Sequence, residues 1–239
     1  MTDFDYSKIP IGYYDSILEN GLTRQKGLQS CWHHTKFSTI KNRMGKYENH
    51  LDIACGPGTF IGKYLDSRSE GWDISEEQIK FAKNKYYSIE KNFKIRDLRE
   101  AIKSQQKYDV ITLLEFIEHI SRSEVQKVVS ELYTMLNDGG KIIITTPNYR
   151  GLWLFLEKIV SIVGPVDYKN QHINRYTPKR VKKEFDYSLL SVDKYINFGI
   201  FFSIFGHQAG LKFNKIISKF FKDFFGYSLI ITIHKPIKT

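Results

Sequence analysis

The stretch that most constrains this chain is residues 49–62, which read Asn-His-Leu-Asp-Ile-Ala-Cys-Gly-Pro-Gly-Thr-Phe-Ile-Gly. Residues 50–55 predict a short buried strand, residues 56–58 a tight turn, and Thr59 the start of a helix. A strand, a glycine turn and a helix N-terminus in this order form a cofactor cradle, because glycine lets a ligand approach the backbone. The sequence therefore predicts an α/β fold with a cofactor site at this turn.

The unusual residue of the stretch is Asp52, because a strand buried on both faces is expected to be apolar throughout. A carboxylate near the end of that strand indicates a positively charged group on the ligand. Residues 52–59 resemble the first motif of the class I S-adenosylmethionine (SAM) methyltransferases, in the version of the small-molecule branch. The ammonium and sulfonium of SAM suit a carboxylate. The spacing Gly56-x-Gly58-x-x-x-Gly62 also resembles a dinucleotide loop, and glycines alone do not separate the two.

The resemblance implies SAM as cofactor, S-adenosylhomocysteine as product, and a set of cofactor contacts at strand ends. Asp73 stands where an acidic residue receives the ribose diol, since two neighbouring hydroxyls can donate to one carboxylate. Asp73 and Asp97 are also open to the plainer interpretation of turn aspartates. The implied cofactor-binding residues are Asp52, Ala54, Cys55, Gly56, Gly58, Asp73, Ile74, Asp97, Leu98, Leu114 and Glu115.

The segment after the predicted fourth strand carries the candidate acceptor chemistry. Residues 115–120 read Glu-Phe-Ile-Glu-His-Ile and resemble the corresponding loop of ubiquinone-type O-methyltransferases. Residues 170–178 resemble a segment at the mouth of the site in related enzymes. The resemblance implies substrate contacts for Glu118, His119, His172 and Tyr176. His33 and His34, in a predicted N-terminal helix, either reach the substrate or lie on a helix surface.

Methyl transfer from SAM is an in-line displacement in which the enzyme mostly positions the nucleophile. A hydroxyl acceptor also needs a base, and histidine suits this at neutral pH. His119 and His172 are the candidate catalytic residues, with His33 and His34 behind them. Glu118 and His119 are also compatible with a divalent metal, but two ligands one residue apart are a weak pattern, and we predict no metal. The sequence lacks the Asn-Pro-Pro-Tyr and Pro-Cys motifs of other acceptor classes, which favours oxygen.

The predicted architecture is a Rossmann-like class I methyltransferase fold, with a mostly parallel seven-stranded sheet and an antiparallel last strand. We expect an N-terminal helical cap over residues 1–48 and the methyltransferase domain over 49–239. That domain divides into a cofactor half, 49–148, and a substrate half, 149–239, with helical insertions after strands five and six. Ser75-x-x-Gln78 and Ser123-x-x-Gln126 predict helix N-termini.

The substrate half contains three further apolar segments. Residues 151–164 are too short to span a bilayer and predict a buried helix or a lid. Residues 195–206 predict a strand. Residues 211–225 predict an amphipathic helix with phenylalanines on one face and lysines on the other. Such a helix lies on an anionic membrane, packs on the core, or forms a subunit contact.

Composition constrains the size of the core, the compartment and the charge of the partners of this protein. With 239 residues and 41% hydrophobic residues the chain can build one large core. Two cysteines and no apolar leader predict a cytoplasmic protein. The net charge of +10 permits an RNA or anionic-membrane partner.

We expect a small-molecule or lipid-linked acceptor, a sugar or a quinone-like molecule. We expect peripheral membrane contact through residues 211–225 rather than a nucleic-acid partner, and a monomer or a homodimer. An RNA methyltransferase and a non-catalytic SAM-binding protein are the competing functions.

Overall fold

The structure is a computed structural model that describes residues 10–97, 106–150, 172–185, 187–220 and 226–237. A seven-stranded sheet with helices on both faces forms its centre. The strands are β1 (His50–Ile53), β2 (Ser69–Asp73), β3 (Lys91–Ile95), β4 (Tyr108–Leu114), β5 (Leu136–Pro147), β6 (Leu190–Tyr195) and β7 (Ser228–His234). The helices are α1 (Tyr13–Arg24), α2 (Leu28–Met44), α3 (Thr59–Tyr64), α4 (Glu76–Tyr86), α5 (Arg122–Thr134), α6 (Pro178–Glu184) and α7 (His207–Phe220). Two 3₁₀ helices cover Ile117–His119 and Phe198–Ile204.

The strand order is β3-β2-β1-β4-β5-β7-β6. Strands β1 to β5 pair in parallel, whereas β7 is antiparallel to both β5 and β6. The chain moves outward from β1 to β3 and then returns to β4 beside β1. The direction of winding therefore reverses between β1 and β4, and ligands of open α/β sheets bind at the carboxyl edge of such a switch point. The predicted fold is confirmed.

Two apolar clusters sandwich the sheet because successive side chains of a strand point to opposite faces. One cluster contains Leu51 and Ile53 of β1 together with the inner face of α5. The other contains Phe60 and Ile61 of α3 together with the inner faces of α2 and α4. Burial of each large aliphatic side chain contributes about 1.5–3 kcal/mol, so both helix layers are held firmly on the sheet.

Two helices precede β1 within the segment predicted as a helical cap, and only α2 was predicted as an individual helix. Helix α1 is fastened to the layer around α3 and α4 by the wholly buried carboxylate of Asp15. That carboxylate accepts hydrogen bonds from Thr59 Oγ1 at 2.9 Å, from Lys85 Nζ at 2.7 Å and from the Tyr86 hydroxyl. This attachment is polar and joins segments that are distant in the sequence. For that reason, no helical pattern of apolar residues predicts α1.

The predicted strand over residues 195–206 is wrong. Strand β6 ends at Tyr195, and Phe198–Ile204 forms a 3₁₀ helix that packs on α7. The Asn197 side chain starts this helix by accepting a hydrogen bond from the Gly199 amide at 2.9 Å. Asn197 also donates to the Asn214 carbonyl of α7 at 2.9 Å. A polar cap therefore overrides the β-propensity of the apolar run.

Three other boundaries differ from the sequence expectation. Helix α5 is capped by Ser121, in a capping box with Glu124, and not by Ser123. Strand β5 begins at Leu136 and includes Gly139 and Gly140, residues that favour a turn, and its pairing with β4 contains a register shift that accommodates them. Helix α7 begins at His207 and is described to Phe220. The predicted segments 151–164 and 221–225 lie outside the described residues.

Candidate active site

The glycine turn after β1 has an open side and a packed side. Gly56 and Gly58 have φ angles of 53° and 70°, in the left-handed region that favours glycine. A Cβ on Gly56 would meet no atom within 4 Å, whereas a Cβ on Gly58 would lie 2.5 Å from Phe93. Gly58 therefore serves packing, and Gly56 leaves room for a ligand against the backbone. Ala54, just before the turn, has a φ of 55°, a strained value for a residue with a side chain.

Asp73, at the end of β2, ties this turn to the next helix. Its Oδ2 accepts a hydrogen bond from the Gly56 amide at 2.8 Å, and its Oδ1 accepts one from the Ser75 amide at 2.9 Å. Burial raises the pKa of this carboxyl, and the backbone amides oppose that effect. Each carboxylate oxygen retains a second lone pair, so ribose binding by Asp73 stays a prediction that the geometry permits.

Beside Asp73 the sheet edge offers an apolar surface. Ile74 is 52% exposed and Ile95 is 51% exposed, and Asp97 lies half-buried two residues further along the chain. Two exposed isoleucines next to a carboxylate fit a flat heterocycle that carries an amino group. The predicted cofactor contact Leu98 lies outside the described residues.

The Asp52 carboxylate is buried at the same edge. Its Oδ1 accepts a hydrogen bond from Thr112 Oγ1 at 2.5 Å. Burial raises the pKa of Asp52 to about 7, against the lowering effect of this hydrogen bond. Cys55 is buried next to it, and burial with the two neighbouring carboxylates raises the pKa of its thiol. The thiol therefore stays protonated, and Cys55 is a packing residue rather than a nucleophile.

Strand β4 ends in a second strained position. Glu115 has a φ of 55°, and its amide donates to the Thr145 carbonyl and to Thr145 Oγ1, each at 3.1 Å. The buried Glu115 Oε1 has no hydrogen-bond partner among the described residues. Leu114, before it, is partly buried against the α2 side of the sheet. Strain and an orphaned carboxylate oxygen at the carboxyl edge are typical of a ligand site.

The candidate acceptor residues come together directly beyond Glu115. The ring centroids of His119 and His172 lie 5.1 Å apart. Ile173 and Asn174 donate their amides to the Glu118 carbonyl at 3.0 and 3.1 Å, which fixes the later loop on the earlier one. The structure therefore brings Glu118, His119 and His172 together.

Two neighbours orient the side chains of this cluster, and sequence reasoning did not identify either. Thr146 Oγ1 donates to Glu118 Oε2 at 3.1 Å, and the Tyr149 hydroxyl hydrogen-bonds with His172 Nδ1 at 2.6 Å. Thr146 is the second-last residue of β5 and Tyr149 lies two residues beyond the end of that strand, so both come from its carboxyl end. Burial and the nearby Glu115 raise the pKa of Glu118 well above its ordinary value.

The prediction of no metal stays a prediction, but the cluster adds a third candidate ligand to the two that the sequence pattern offered. One ligand atom each from Glu118, His119 and His172 lies within 4.8 Å of the others. Imidazole nitrogens and a carboxylate oxygen suit divalent transition metals. Oε1 of Glu118 is buried without a hydrogen-bond partner in the described part of the chain, which fits an oxygen that faces a cation. The third ligand comes from a distant segment, which is why the local pattern missed it.

Lys36 of α2 joins the cofactor edge and the acceptor cluster. Its side chain is buried, and its ammonium lowers the pKa of both Asp52 and Glu118. The ammonium also stands 5.3 Å from the centroid of the Phe37 ring. A buried lysine was not among the predicted site residues, because its position on α2 resembles that of an ordinary surface lysine.

Three other predicted substrate contacts have different surroundings. His33 packs against Tyr14, and burial together with Lys36 holds the pKa of its imidazole well below the ordinary value. His34 Nδ1 hydrogen-bonds with the Tyr64 hydroxyl at 2.9 Å, which directs it to α3. Tyr176 is fully buried and packs on Phe185 in the core. The expectation that Tyr176 lies at the mouth of the pocket is therefore wrong: the loop turns its ring inward, under α6.

Comparison with known proteins gives the family. A family model described as a methyltransferase domain matches residues 27–188, more than half of the chain. The chain belongs to this family, the class I SAM-dependent methyltransferases, as the fold and the glycine turn indicate. SAM is the cofactor of the family, and the open Gly56 backbone and the two buried carboxylates of the turn fit it.

Individual relatives are more distant. The chain is 29% identical over 124 residues to the ubiquinone biosynthesis O-methyltransferase of Coxiella burnetii, over 50% of each chain. It therefore spans about half the length of the curated relatives it matches. A SAM-dependent methyltransferase from Archaeoglobus fulgidus superposes with a TM-score of 0.58 at 21% identity, over 83% of this chain and 94% of the other. The plantazolicin methyltransferase BpumL, solved with S-adenosylhomocysteine, gives 0.59 at 19% identity over 93% and 90%. These structures share the fold.

Proposed function

We propose that this protein transfers the methyl group of SAM to a hydroxyl oxygen of a small or lipid-linked acceptor, such as a sugar or a quinone precursor. The observation that carries the proposal is the cluster of Glu118, His119 and His172 beyond the end of β4. It adjoins the edge that holds Asp52 and Asp73 in the cofactor turn. Relatives named as ubiquinone O-methyltransferases support oxygen as the acceptor atom.

In this mechanism the chain supplies position and a proton acceptor. SAM, when bound, supplies a methyl group on an activated sulfonium. The hydroxyl must lie in line with that methyl group, and one imidazole of the His119–His172 pair accepts its proton. The hydrogen bond between Tyr149 and His172 Nδ1 holds that ring in one orientation. His172 thus has the supported geometry expected of a base.

The same three residues suggest a second way to activate the hydroxyl. A divalent cation held by Glu118, His119 and His172 would lower the pKa of a coordinated hydroxyl. His172 would then bind through Nε2, and its Nδ1 proton would face the Tyr149 hydroxyl, which can accept it. The buried carboxylate of Glu118 would be neutralised by the cation. An acceptor with two adjacent oxygens, as in a catechol or a sugar diol, would coordinate such an ion best.

A lipid-linked acceptor is supported by an exposed aromatic surface on the Phe198–Ile204 helix and α7. Phe202 and Phe213 stack with centroids 4.1 Å apart, while Phe205 is 79% and Phe220 is 72% exposed. The lysines of α7 at its margin are Lys212, Lys215 and Lys219. We propose that this surface, the α7 aromatic surface, contacts an anionic bilayer as amphipathic helices do. No helix in the described ranges is long and apolar enough to cross a membrane.

The remaining proposals concern the cellular location, the division of the chain, the oligomeric state and the competing functions. Both cysteines are free and buried, in keeping with the cytoplasm as the proposed location. The proposed division into a cap, a cofactor half and a substrate half follows the order of elements, and the proposed state is a monomer or a homodimer. An RNA acceptor rests on charge alone, and a non-catalytic role would leave the acceptor cluster without a purpose.

The decisive experiment supplies the protein with methyl-labelled SAM and four acceptor pools. The pools are catechols and quinone precursors, sugars and glycans, extracted membrane lipids, and total RNA. Each is assayed with Mg²⁺ or Mn²⁺ added and with chelator added. Label in an ether linkage of one of the first three pools supports the proposal. Label in RNA alone, or binding of SAM without transfer to any pool, contradicts it.

A further inference from the structure

A chain of buried polar side chains runs through the sheet behind the cofactor turn. His50 Nε2 lies 2.9 Å from Thr112 Oγ1, and Thr112 Oγ1 lies 2.5 Å from Asp52 Oδ1. On the other side, His50 Nδ1 lies 3.2 Å from the Ser69 hydroxyl. His50, Asp52 and Thr112 are each at least 97% buried, so these groups satisfy one another and not water.

The carboxylate fixes the direction of the hydrogen bonds. The single hydroxyl proton of Thr112 is donated to Asp52, which as a carboxylate only accepts. The Thr112 oxygen can then only receive the shorter of the two His50 contacts, which favours a proton on His50 Nε2. This tautomer requires the Ser69 hydroxyl to turn from the Ser67 carbonyl, 3.0 Å away, and donate to His50 Nδ1. Burial holds the pKa of His50 at about 3, and the ring is therefore neutral under ordinary conditions.

The fold itself does not demand a hydroxyl at position 112. Thr112 is the partner of Asp52 across the β1–β4 pair, between the buried apolar residues Ile111 and Leu113. Valine has nearly the same shape and suits a central parallel strand better. A threonine there, oriented by a histidine, is best explained by the carboxylate that it holds.

We propose that Thr112 and His50 are positioning residues for the cofactor: His50 orients the Thr112 hydroxyl, and Thr112 holds the Asp52 carboxylate ionised and aimed at the amino group of SAM. The proposal rests on SAM binding at the β1 turn. It extends the role of Asp52 to two residues that act through it.

The charges around Asp52 make its ionisation finely balanced. From the end of β2 the Asp73 carboxylate raises the pKa of Asp52, and from α2 the Lys36 ammonium lowers it. On β1 itself His50 is neutral, and the adjacent Cys55 thiol is protonated. From β4 the Thr112 hydroxyl lowers the pKa of Asp52 more than Lys36 does. Removal of this one donor should therefore favour the protonated acid, which attracts an ammonium far less.

The test replaces Thr112 with valine and measures S-adenosylhomocysteine binding by calorimetry between about pH 5.5 and pH 7.5. We expect Thr112→Val to weaken binding about ten-fold and to move the acid limb of the affinity profile up by about one pH unit. Thr112→Ser, which keeps the hydroxyl, should stay close to wild type. Adenosine, which lacks the amino acid part, should bind the wild type and Thr112→Val alike.

The opposite results would overturn the proposal. An unchanged profile for Thr112→Val would show that the hydroxyl does not hold Asp52, and an equal loss of adenosine affinity would reduce Thr112 to a structural role. If Thr112→Val does not fold, His50→Gln and His50→Leu replace it, since glutamine alone offers a similar N–H donor. ¹⁵N NMR of the ligand-free wild type must show His50 protonated at Nε2. That readout stands even if the wild type fails to bind SAM, a result that would refute the cofactor assignment separately.

Discussion

The imidazole rings of His119 and His172 lie with their centroids 5.1 Å apart and their planes inclined at 54°. His119 ends the 3₁₀ helix after β4, while His172 precedes α6 in a separate segment. The Glu118 carbonyl accepts hydrogen bonds from the two residues after His172, so backbone contacts set the approach of the rings. Two histidines and one buried carboxylate can thus act on a single oxygen.

Replacement of either histidine tests the proposed base. We expect His119→Ala or His172→Ala, whichever removes the base, to lower turnover by about 10²–10⁴-fold while SAM affinity stays nearly unchanged. His234→Ala is the matched control, because His234 ends β7 and pairs with Lys141, six residues before the carboxyl end of β5 at Pro147, so it lies away from the carboxyl edge of the parallel strands. Steady-state kinetics with the acceptor that the labelling experiment identifies provide the measurement. Full activity in both variants would exclude both rings as the base.

Metal binding at the same cluster can be measured without an acceptor. We expect the metal-free protein to bind Mn²⁺ or Zn²⁺ in calorimetry, and Glu118→Gln to weaken that binding at least about ten-fold because a charged ligand is lost. Glu76→Gln, an exposed carboxylate on α4, should leave it unchanged. Equal metal affinity in the wild type and Glu118→Gln would show that any bound ion lies outside this cluster. Metal activation of the hydroxyl would then be excluded, and the histidine base would be the only proposed mechanism left.

Cofactor binding should depend on Asp73. We expect Asp73→Ala to weaken SAM binding by roughly 1–3 kcal/mol, because the ribose hydroxyls lose their acceptor and the Gly56 amide loses its partner. Asp66→Ala removes an exposed carboxylate paired with Lys41 and should have little effect. Calorimetric titration with SAM compares the three proteins. Binding of NADPH but not of SAM by the wild type would contradict the cofactor assignment.

The raised pKa of Asp52 predicts a specific pH dependence of stability in the ligand-free protein. Its folded-state pKa of about 7 lies above the ordinary 3.8. The protein therefore gains stability from the protonated acid at low pH and loses it as the pH rises through 7, by up to roughly 4 kcal/mol. Urea unfolding between about pH 5 and pH 8 should show a steeper loss for the wild type than for Asp52→Asn. Equal slopes would mean that Asp52 has an ordinary pKa.

Added SAM should act in the opposite direction. Its ammonium favours the ionised carboxylate, so the increase in melting temperature caused by SAM should grow between about pH 5.5 and pH 7. Asp73 also has a pKa raised by burial, and it is present in both the wild type and Asp52→Asn, so this burial effect is common to their unfolding profiles.

The α7 aromatic surface predicts membrane binding. We expect the wild type to co-sediment with anionic liposomes, and the double variant Phe205→Ser/Phe220→Ser to lose most of that binding because both rings are largely exposed. Ile89→Ser is the matched control, since Ile89 is a fully exposed apolar residue outside this surface. Weaker sedimentation at high salt would reflect the lysines. Equal sedimentation of all three proteins, or none by the wild type, would refute a membrane role for this surface.

Local patterns in the sequence determined the cofactor half. The glycine turn after β1 and the acidic residue after β2 each lie within one strand–turn–helix unit, where steric and hydrogen-bonding rules act over a few residues. The apolar stripe of α5 is likewise a local period, and its members Val125, Val128, Val129 and Leu132 are buried. The choice of Ser121 over Ser123 as the cap escaped prediction because both serines fit the same short pattern.

The acceptor half was decided by tertiary contacts between segments that are remote in the chain. The sequence by itself placed Glu118 and His119 on one loop, but only the folded chain adds His172, and only the pairing of the two loops gives three ligand atoms within 4.8 Å. The inward turn of Tyr176 is likewise a result of packing under α6. The physical reason is that local propensities act along the chain, whereas a site built across strands depends on which buried groups can satisfy one another in three dimensions.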